Sequence, residues 1–311
     1  MNTNYDVVII GAGPAGLTAA IYAGRANLRV LIIERGLYGG QMNNTADIDN
    51  YPGFASVLGP ELGEKMHASA MQFKPDYLTA EVKEVQLVGA SKRVVTDQGT
   101  FTSPIVIAAA GSEHKHLNKP GEEEFSGRGV SYCAVCDAGF FKDEDVIVIG
   151  GGDSAVEEGI YLAQLAKSVT IVHRRDQLRA QQILQQRAFR NKKINFIWNA
   201  DVQEIEGDGQ KVTGIRYRDK VTGAEKHLPG RGVFIYVGLA PQTKPFAKLG
   251  VTDDAGWLKT DESLQTKVPG LFAAGDVRAK HLRQIATAVG EGSLAGQEAY
   301  EYWQQLQDHK A

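Results

Sequence analysis

The 311-residue chain is long enough for two domains of ordinary size, and 43% of its residues are hydrophobic, which favours folded cores over disorder. Its formal net charge of −3 argues against general binding to nucleic acid or to anionic membranes. No apolar run approaches the roughly 18 residues of a membrane span, and no basic residue precedes Arg25, as it would in a secretory signal. We therefore expect a cytoplasmic protein with no nucleic-acid or membrane partner.

The start of the chain has the pattern of a dinucleotide-binding unit. Residues 7–10 are a short apolar run, and the glycine-rich turn 11–16 and an Ala-rich stretch with helical spacing follow it. A second apolar run, 30–33, ends at Glu34. Glycines in such a turn let a pyrophosphate approach the helix N-terminus, and an acid about 20 residues later accepts from ribose hydroxyls. This unit predicts binding of FAD or NAD.

The same pattern recurs in the middle of the chain. The apolar run 146–149 leads into a second glycine-rich turn, 150–155, and a helical stretch over 156–166 follows. We expect Glu157 and Glu158 to lie in the first turn of that helix, where its dipole favours acids. A further apolar run then predicts the next strand. The chain therefore contains two separate dinucleotide-binding units.

The second unit lacks the acid that the first unit has after its second strand. The corresponding position is His173, and Arg174, Arg175 and Arg179 lie next to it or close by. A ribose 2′-hydroxyl needs an acceptor, whereas a 2′-phosphate pairs with guanidinium groups. The residues predict NADP rather than NAD, although a solvated basic surface is the plainer alternative.

The remaining segments suggest how the domains are arranged along the chain. A buried strand that ends at Gly111 and a polar stretch after it mark one boundary, and residues 238–241 mark another. A later strand ending in Gly275 and a helix over 283–306 can complete the first domain. The predicted fold is α/β, with two Rossmann-like domains, one inserted into a discontinuous other. We expect 1–112 and 243–311 to form the first domain and 113–242 the inserted one.

The two cysteines, Cys133 and Cys136, are only three positions apart, which excludes a disulfide-stapled secreted scaffold. In a cytosolic chain such a pair is usually redox-active or metal-bound. A zinc site would need about four ligands, and His114 and His116 are the nearby candidates, so we expect no metal. Beside two dinucleotide sites, which supply electrons, a redox role is favoured. Asp137 is placed to exchange a proton with a thiolate.

At these positions the chain resembles the bacterial low-molecular-weight thioredoxin reductases over essentially its whole length. The resemblance is carried by residues 11–16, 39–41, 50–53, 133–137, 150–155 and 173–176, and by Gly275–Asp276 with Arg283–Gln284. It departs where Ala138 precedes Gly139 and where Ala110 replaces a usual threonine. The resemblance implies FAD in the discontinuous domain, NADPH in the inserted domain and a homodimer.

The resemblance also implies which residues contact the two cofactors. For FAD they are Gly11, Gly13, Pro14, Ala15, Gly16, Glu34, Gly39, Gly40, Gln41, Asn50, Gly275, Asp276, Arg283, Gln284 and Ile285. For NADPH they are Gly150, Gly152, Asp153, Ser154, Ala155, His173, Arg174, Arg175 and Arg179.

The implied catalytic residues are Cys133, Cys136 and Asp137. By the resemblance, Cys136 faces the flavin, Cys133 attacks the disulfide of thioredoxin, and Asp137 is the acid/base. Phe140 and Phe141 lie where the family docks thioredoxin. The family also rotates the inserted domain between two states, for which Gly111 and Gly238 are candidate hinges.

Three other functions remain open at this point. A flavoprotein that reduces a peroxiredoxin usually carries an additional N-terminal disulfide domain, whereas this sequence starts directly at its first strand. A related ferredoxin reductase lacks the cysteine pair. A flavin-bound redox sensor would bind partners without turnover, and the cysteines, Asp137 and the arginines argue against it.

Overall fold

The computed structural model describes residues 3–45 and 47–308. The described chain forms two compact units. The first comprises residues 3–43, Asp47–Glu113 and 240–308, and the second comprises residues 44–45 and His114–Leu239. The chain passes between the units after Glu113 and after Leu239, where the sequence predicts boundaries at 112 and 242.

The first unit is built on a sheet of five parallel strands. In sheet order they are Leu271–Ala273, Ile105–Ala108, Val7–Ile10, Val30–Glu34 and Asp76–Thr79. The strands at 7–10 and 105–108 are buried along their whole length. A parallel sheet is covered on both faces, so its inner strands are continuous apolar runs in the sequence.

Three helices belong to this unit: Pro14–Arg25, Gly59–Met71 and Ile285–Asp308. The first and last helices pack closely because glycines replace side chains at their contact. A Cβ added at Gly292 would lie 2.3 Å from the carbonyl oxygen of Ala15, and one at Gly296 would lie 2.7 Å from that of Ala19. Residues from opposite parts of the sequence therefore share one core.

The other elements of the first unit are shorter. An antiparallel sheet consists of Val82–Val88, Ser91–Thr96 and Gly99–Ser103, and a strand pair consists of Asp47–Ile48 and Val57–Leu58. Single turns of 3₁₀ helix lie at Gly40–Asn44, Lys244–Leu249 and Gly275–Val277. Short strands, Ser112–His114 and Leu239–Pro241, lie where the chain passes between the units.

The second unit repeats the same plan. Its five parallel strands, in sheet order, are Val130–Ser131, Gly232–Tyr236, Asp145–Gly150, Ser168–Val172 and Ile194–Ile197. Its helices are Ala134–Asp137, Asp153–Leu165 and Gln182–Arg190, with a 3₁₀ turn at Ala138–Phe141. An antiparallel sheet of Ala200–Gly207, Val212–Asp219 and Glu225–Pro229 completes it.

The strand register shows which positions of the two units correspond. Ile10 pairs with Ile33 in the first unit, and Ile149 pairs with Val172 in the second. The next residues along the chain, Glu34 and His173, therefore occupy the same place at the carboxyl end of the second strand. Ligands of open α/β sheets bind at this end of the strands.

One sequence-based expectation about the second unit is wrong. The helix that follows the glycine turn begins at Asp153, which is the acid in its first turn. Glu157 and Glu158 lie one turn further along, because the turn residues themselves start the helix. The dipole argument does not apply to them there.

No helix in the described ranges is long and apolar enough to cross a membrane.

Candidate functional site

The first glycine turn follows the strand Val7–Ile10 and is closed by tight backbone contacts. Gly11 has a φ of +109°, and a Cβ there would lie 2.3 Å from the carbonyl oxygen of Ala109. A Cβ at Gly16 would lie 1.9 Å from the carbonyl oxygen of Gly11. Any larger residue at either position would force the turn open, so both glycines are required for its shape.

Glu34 holds this turn through its carboxylate. Its Oε2 accepts the backbone N–H of Ala12 at 2.8 Å, and its Oε1 accepts that of Gly36 at 3.0 Å. Each carboxylate oxygen has a second lone pair, which leaves capacity for a ribose hydroxyl. The acid therefore shapes the turn and remains available as an acceptor.

The segments that the resemblance assigns to the flavin meet around this turn. The N–H of Gly39 donates to the carbonyl of Ala12 at 2.8 Å, and a Cβ on Gly40 would lie 3.2 Å from Cα of Gly13. A Cβ on Gly275 would lie 2.8 Å from Cβ of Ala15. Backbone from three distant parts of the sequence thus lines one glycine-rich surface.

Asp276 supplies a buried acceptor beside that surface. Its Oδ1 is buried and has no hydrogen-bond partner among the described residues, while Nζ of Lys280 lies 3.6 Å away. Burial raises the pKa of Asp276, and the charges of Lys280 and Arg283 oppose that rise. Glu291 fixes the adjacent backbone, because its Oε2 accepts the N–H of Gly275 at 2.7 Å.

The segment leading into the last helix is also fixed in place. The guanidinium of Arg283 lies 3.6 Å from the ring centroid of Trp257 and donates to the carbonyl of Arg278 at 3.0 Å.

The other residues that the resemblance assigns to the flavin also have defined contacts. Nδ2 of Asn50 donates to Oε1 of Gln284 at 3.1 Å. Ile285 packs against the small apolar cluster that contains Met42. Gln41 donates from Nε2 to the carbonyl of Ser112 at 3.0 Å.

The second glycine turn has the same architecture with different side chains. A Cβ at Gly150 would lie 2.5 Å from the carbonyl oxygen of Tyr236 and 2.7 Å from Cβ of Ala155, whereas Gly152 faces open space. Asp153 accepts the backbone N–H of Gln181 at 2.8 Å and its side-chain amide at 2.9 Å. This carboxylate anchors the start of the helix Gln182–Arg190. Ser154 is exposed at the turn.

His173 lies beneath this turn as a packed ring. It is 4% exposed, and a Cβ on Gly151 would lie 2.5 Å from the imidazole. Burial lowers the pKa of His173, and the charges of Arg179, Arg175 and Arg174 lower it further. Its Nε2 is buried and has no hydrogen-bond partner among the described residues, so the ring packs under the turn rather than lying at its surface.

The three arginines themselves are exposed. None of them forms an ion pair within the described ranges, and the N–H of Arg179 donates to the carbonyl of Gly151 at 2.7 Å. That bond ties the arginine segment directly to the glycine turn. The backbone of the arginine segment is therefore fixed beside the glycine turn, near the carboxyl ends of the strands, where ligands of open α/β sheets bind.

The redox motif lies elsewhere in the second unit. Cys133 and Cys136 form a disulfide bond. Cys133 is the residue before the helix Ala134–Asp137, and its Sγ accepts the N–H of Cys136 at 3.1 Å. Cys133 is half-buried, whereas Cys136 is exposed. Asp137 ends the same short helix.

The chain around Cys133 is clamped by residues that sequence reasoning missed. Ser131 Oγ accepts the N–H of Cys133 at 3.1 Å and donates to its carbonyl at 3.2 Å. Tyr132 donates from its hydroxyl to Oε1 of Glu122 at 2.6 Å. The hydroxyl of Tyr236 accepts the N–H of Ala134 at 3.1 Å. These residues are distant from Cys133 in the sequence or belong to ordinary strand patterns, so no sequence motif identifies them.

The buried Glu122 carboxylate is stabilised in its ionised form. Burial alone would raise the pKa of Glu122, but hydrogen bonds from Tyr132 and from three backbone N–H groups lower it overall. These amides belong to the turn 117–119, where the N–H of Leu117 donates to Oε1 at 2.7 Å. The carboxylate thus joins this turn to the residue that precedes Cys133.

The residues after the redox helix differ in their exposure and packing. Ala138 has a φ of −55° and a ψ of −31°, a conformation open to any residue, so its departure from the family pattern costs nothing. Phe140 is 82% exposed. Phe141 instead packs against Phe234, with ring centroids 5.4 Å apart, and a Cβ on Gly232 would lie 2.8 Å from its ring. One of the two expected docking rings is therefore partly buried and packs against the core.

Comparisons with known proteins agree on one family. The model of the pyridine nucleotide-disulphide oxidoreductases matches residues 5–292. The thioredoxin reductase of Listeria monocytogenes is 59% identical over 304 residues, which cover 98% of this chain and 95% of that protein. The thioredoxin reductase of Bacillus subtilis is 54% identical over 304 residues, covering 98% and 96%. The crystal structure of Lactococcus lactis thioredoxin reductase is 50% identical and superposes with a TM-score of 0.95, covering 97% of this chain and 99% of that one.

Proposed function

Because the chain belongs to the pyridine nucleotide-disulphide oxidoreductases, and within them to the thioredoxin reductases, we propose that NADPH, FAD and the Cys133–Cys136 pair are its electron path to oxidised thioredoxin. The family establishes an enzyme that uses a flavin and a pyridine nucleotide. The observation that carries the finer proposal is the Cys133–Cys136 disulfide, in a unit whose glycine turn is bordered by unpaired arginines.

The first unit fits FAD. The buried Oδ1 of Asp276 has an ion-pair contact with Lys280 but no hydrogen-bond partner among the described residues, so it suits a hydroxyl donor of the ribityl chain. The spare lone pairs of Glu34 suit the adenosine ribose. Gly11, Gly13 and Gly40 bring backbone segments together without side chains, which is the kind of glycine-rich turn that a pyrophosphate approaches in this fold. A bound flavin supplies two-electron transfer between a nicotinamide and a disulfide.

The second unit fits NADPH. Arg174, Arg175 and Arg179 offer free guanidinium groups for a 2′-phosphate, and this phosphate is what distinguishes NADPH from NADH. Gly150, Gly152 and the N-terminus of the helix Asp153–Leu165 are placed to receive the pyrophosphate. His173 supports the turn from below, because its buried ring packs against Gly151.

The cysteine pair divides the chemistry between two sulfurs. Two electrons and one proton convert the disulfide into one thiol and one thiolate. The N–H of Cys136 already points at Sγ of Cys133, and a hydrogen bond to a thiolate lowers its pKa. We assign Cys133 as the nucleophile toward thioredoxin, Cys136 as its flavin-facing partner and Asp137 as the residue that exchanges the proton.

The homodimer, which the resemblance implies, and the cytoplasmic location, which the sequence composition favours, belong to the same proposal. Exposed Phe140 is the part of the docking surface that the second unit offers to thioredoxin. An aromatic ring of this kind supplies the contact area that often dominates interfaces.

The test is NADPH oxidation by the flavin-loaded protein, with and without oxidised thioredoxin. We expect rapid, thioredoxin-dependent oxidation, and none when Cys133→Ser replaces the wild type. Reduction of a peroxiredoxin-type disulfide but not of thioredoxin would reject the proposed substrate. A folded protein that takes up no FAD would reject the whole electron path.

A further inference from the structure

The side-chain amide of Asn44 lies against the disulfide, although Asn44 belongs to none of the motifs described above. It falls between the segments 39–41 and 50–53, which carry the family resemblance. It ends the 3₁₀ turn Gly40–Asn44 and belongs, like the cysteines, to the second unit. Its Oδ1 lies 3.8 Å from Sγ of Cys133 and 4.0 Å from Sγ of Cys136. One polar atom is therefore within reach of both sulfurs.

Reduction of the disulfide changes what this contact can do. In the disulfide neither sulfur carries a proton, so neither can donate to Oδ1 of Asn44. Two electrons and one proton break the S–S bond and leave one thiol and one thiolate. A thiol is a weak S–H donor, and the carbonyl oxygen of an asparagine is an acceptor with two lone pairs. The sulfurs thus offer Oδ1 of Asn44 a donor only after the pair is reduced.

The backbone decides which sulfur keeps the negative charge. The N–H of Cys136 donates to Sγ of Cys133 at 3.1 Å, and a hydrogen bond to the ionised form of a group favours that form. The charge is therefore favoured on Cys133 and the proton on Cys136. Sγ of Cys136 lies 4.0 Å from Oδ1 of Asn44, so its S–H can donate to that oxygen.

The surroundings of the amide suit this bond. Asn44 and Cys133 are half-buried, and a hydrogen bond that is partly shielded from water is stronger than an exposed one. The amide is also uncharged. It accepts an S–H without placing a negative charge beside the thiolate, which a carboxylate at the same place would do.

We propose that Asn44 is a catalytic residue that binds the reduced cysteine pair through its carbonyl oxygen. It accepts the S–H of Cys136 while the N–H of Cys136 stabilises the thiolate of Cys133, which leaves Cys133 as the sulfur that attacks a partner disulfide. Because the bond to Asn44 forms in the reduced pair and not in the disulfide, it raises the reduction potential of the pair. This inference rests on the proposed redox role of Cys133 and Cys136.

The experiment measures the reduction potential of the cysteine pair in the flavin-loaded enzyme at one neutral pH. Wild type and variants are equilibrated with reduced and oxidised dithiothreitol in graded ratios, and the oxidised fraction is read by mass after alkylation with N-ethylmaleimide. Asn44→Leu keeps the approximate size of the side chain and removes both polar atoms. Its equilibrium constant for reduction should fall about fivefold, or about 20 mV, because the reduced pair loses one hydrogen bond.

Asn44→Asp tests the chemistry of the side chain rather than its shape. The variant keeps the size and an acceptor oxygen but adds a negative charge beside the thiolate of Cys133. This repulsion outweighs the gain from a charged acceptor, so the equilibrium constant should fall about tenfold, or about 30 mV. If Asn44 only shaped the turn, the nearly isosteric Asp would be the milder of the two variants.

Matched variants separate this effect from general changes in the unit. Asn195→Leu and Asn195→Asp make the same two changes at an exposed amide on the strand Ile194–Ile197, and neither should move the potential. If Asn44→Leu does not fold, Asn44→Ala removes the same carbonyl group and should give the same fall.

Equal potentials in wild type and Asn44→Leu would overturn the inference, as would a smaller shift in Asn44→Asp than in Asn44→Leu or equal shifts in the Asn195 variants. Thioredoxin turnover of wild type is measured on the same preparations. Normal turnover together with unmoved potentials rejects only the role of Asn44, whereas wild type that does not reduce thioredoxin rejects the proposed function.

Discussion

The two glycine turns share one backbone plan and differ in the residue that follows the second strand. In the first unit Glu34 binds the turn with both carboxylate oxygens. In the second unit His173 occupies the corresponding position, but its ring packs under Gly151, and burial lowers its pKa. The same position therefore supports the turn in both units, by a carboxylate that accepts backbone N–H groups in the first and by a packed ring in the second.

In the proposed function, nucleotide selectivity of the second unit lies with residues next to His173. Arg174, Arg175 and Arg179 are exposed and tied to the turn by the backbone of Arg179. The support of the turn and the recognition of the nucleotide are thus separate in the second unit and combined in Glu34 of the first. In the second unit, mutations should therefore alter nucleotide recognition without altering the turn. In the first unit, a mutation of Glu34 should alter both.

The largest effect should come from the cysteines, which only the second unit carries. Cys133→Ser and Cys136→Ser should each abolish thioredoxin reduction while the flavin is still reduced by NADPH, since hydride transfer needs no thiol. Anaerobic absorbance of the flavin and thioredoxin turnover measure the two steps. Cys136→Ser should trap a mixed disulfide with a thioredoxin that lacks its resolving cysteine. If Cys133→Ser traps it instead, the roles of the two sulfurs are exchanged.

Removing the arginines should affect one cofactor form only. Neutral replacement of Arg174, Arg175 and Arg179 together should raise KM for NADPH about 100-fold, or roughly 3 kcal/mol, because charge-assisted bonds to the 2′-phosphate are lost. KM for NADH should change little. Steady-state kinetics with both nucleotides provides the check, and Arg187→Gln on the adjacent helix is the matched control. Equal losses with NADPH and NADH would contradict the 2′-phosphate assignment.

The two units also differ in the charge of an ionisable group whose pKa burial shifts, which is a lysine in the first unit and a glutamate in the second. Lys92 in the first unit is 2% exposed and donates to the carbonyl of Pro104 at 2.5 Å, and burial lowers its pKa to about 8. The unfolded chain keeps the ordinary value of 10.5, so the folded protein releases this proton first. The free energy of unfolding should then rise between about pH 8 and 10.5, by an amount on the order of 3 kcal/mol.

Lys92→Met should lack this rise, whereas Lys83→Met on a neighbouring strand, where the lysine is exposed, should retain it. Urea unfolding at several pH values measures the effect. In the second unit the raised pKa of Glu158 changes the free energy of unfolding in the opposite direction. For wild type this free energy should fall as the pH rises from about 4.5 to about 8, and for Glu158→Gln this fall should be absent. Parallel curves for wild type and Lys92→Met would show that Lys92 does not titrate as expected.

Glu34→Ala tests the combined role of the acid in the first unit. It removes acceptors from Ala12 and Gly36 as well as from the ribose, and should weaken flavin retention by about 1–3 kcal/mol. Flavin fluorescence during dialysis reports the loss, and Glu61→Ala on an exposed helix surface is the control. Unchanged retention would show that Glu34 only shapes the empty turn.

The smallest effect concerns the partner surface of the second unit. Phe140→Ala should raise KM for thioredoxin severalfold, since an exposed ring is lost, and should leave turnover with a small artificial disulfide unchanged. Phe141→Ala should lower Tm instead, because its ring packs against Phe234. Equal losses with both disulfides in Phe140→Ala would place the docking surface elsewhere.

Sequence patterns predicted the strands and glycine turns well, because buried parallel strands are continuous apolar runs and glycine turns have fixed spacing. The strand Val7–Ile10 and the last helix, predicted over 283–306 and observed at Ile285–Asp308, are examples. The thioredoxin reductase family was also recognisable from short motifs. The roles of individual site residues stay predictions that the experiments above address.

Side-chain surroundings were much harder to predict. Glu157 and Glu158 look alike in the sequence, yet Glu158 holds a buried, unpaired oxygen. Phe140 and Phe141 are also neighbours with opposite exposure. These differences depend on which side of a short element faces residues brought from far along the chain, and local periodicity over one or two residues carries no such information.

The contact between the first and last helices has a consequence for how the protein is made. Pro14–Arg25 packs against Gly292 and Gly296, which leave the ribosome more than 250 residues later than the first glycine turn. The unit His114–Leu239 is almost continuous in sequence and can fold while synthesis proceeds. The second unit can therefore fold before the first unit has a complete core, and a ligand that needs the whole first unit can bind only after the last helix has been synthesised.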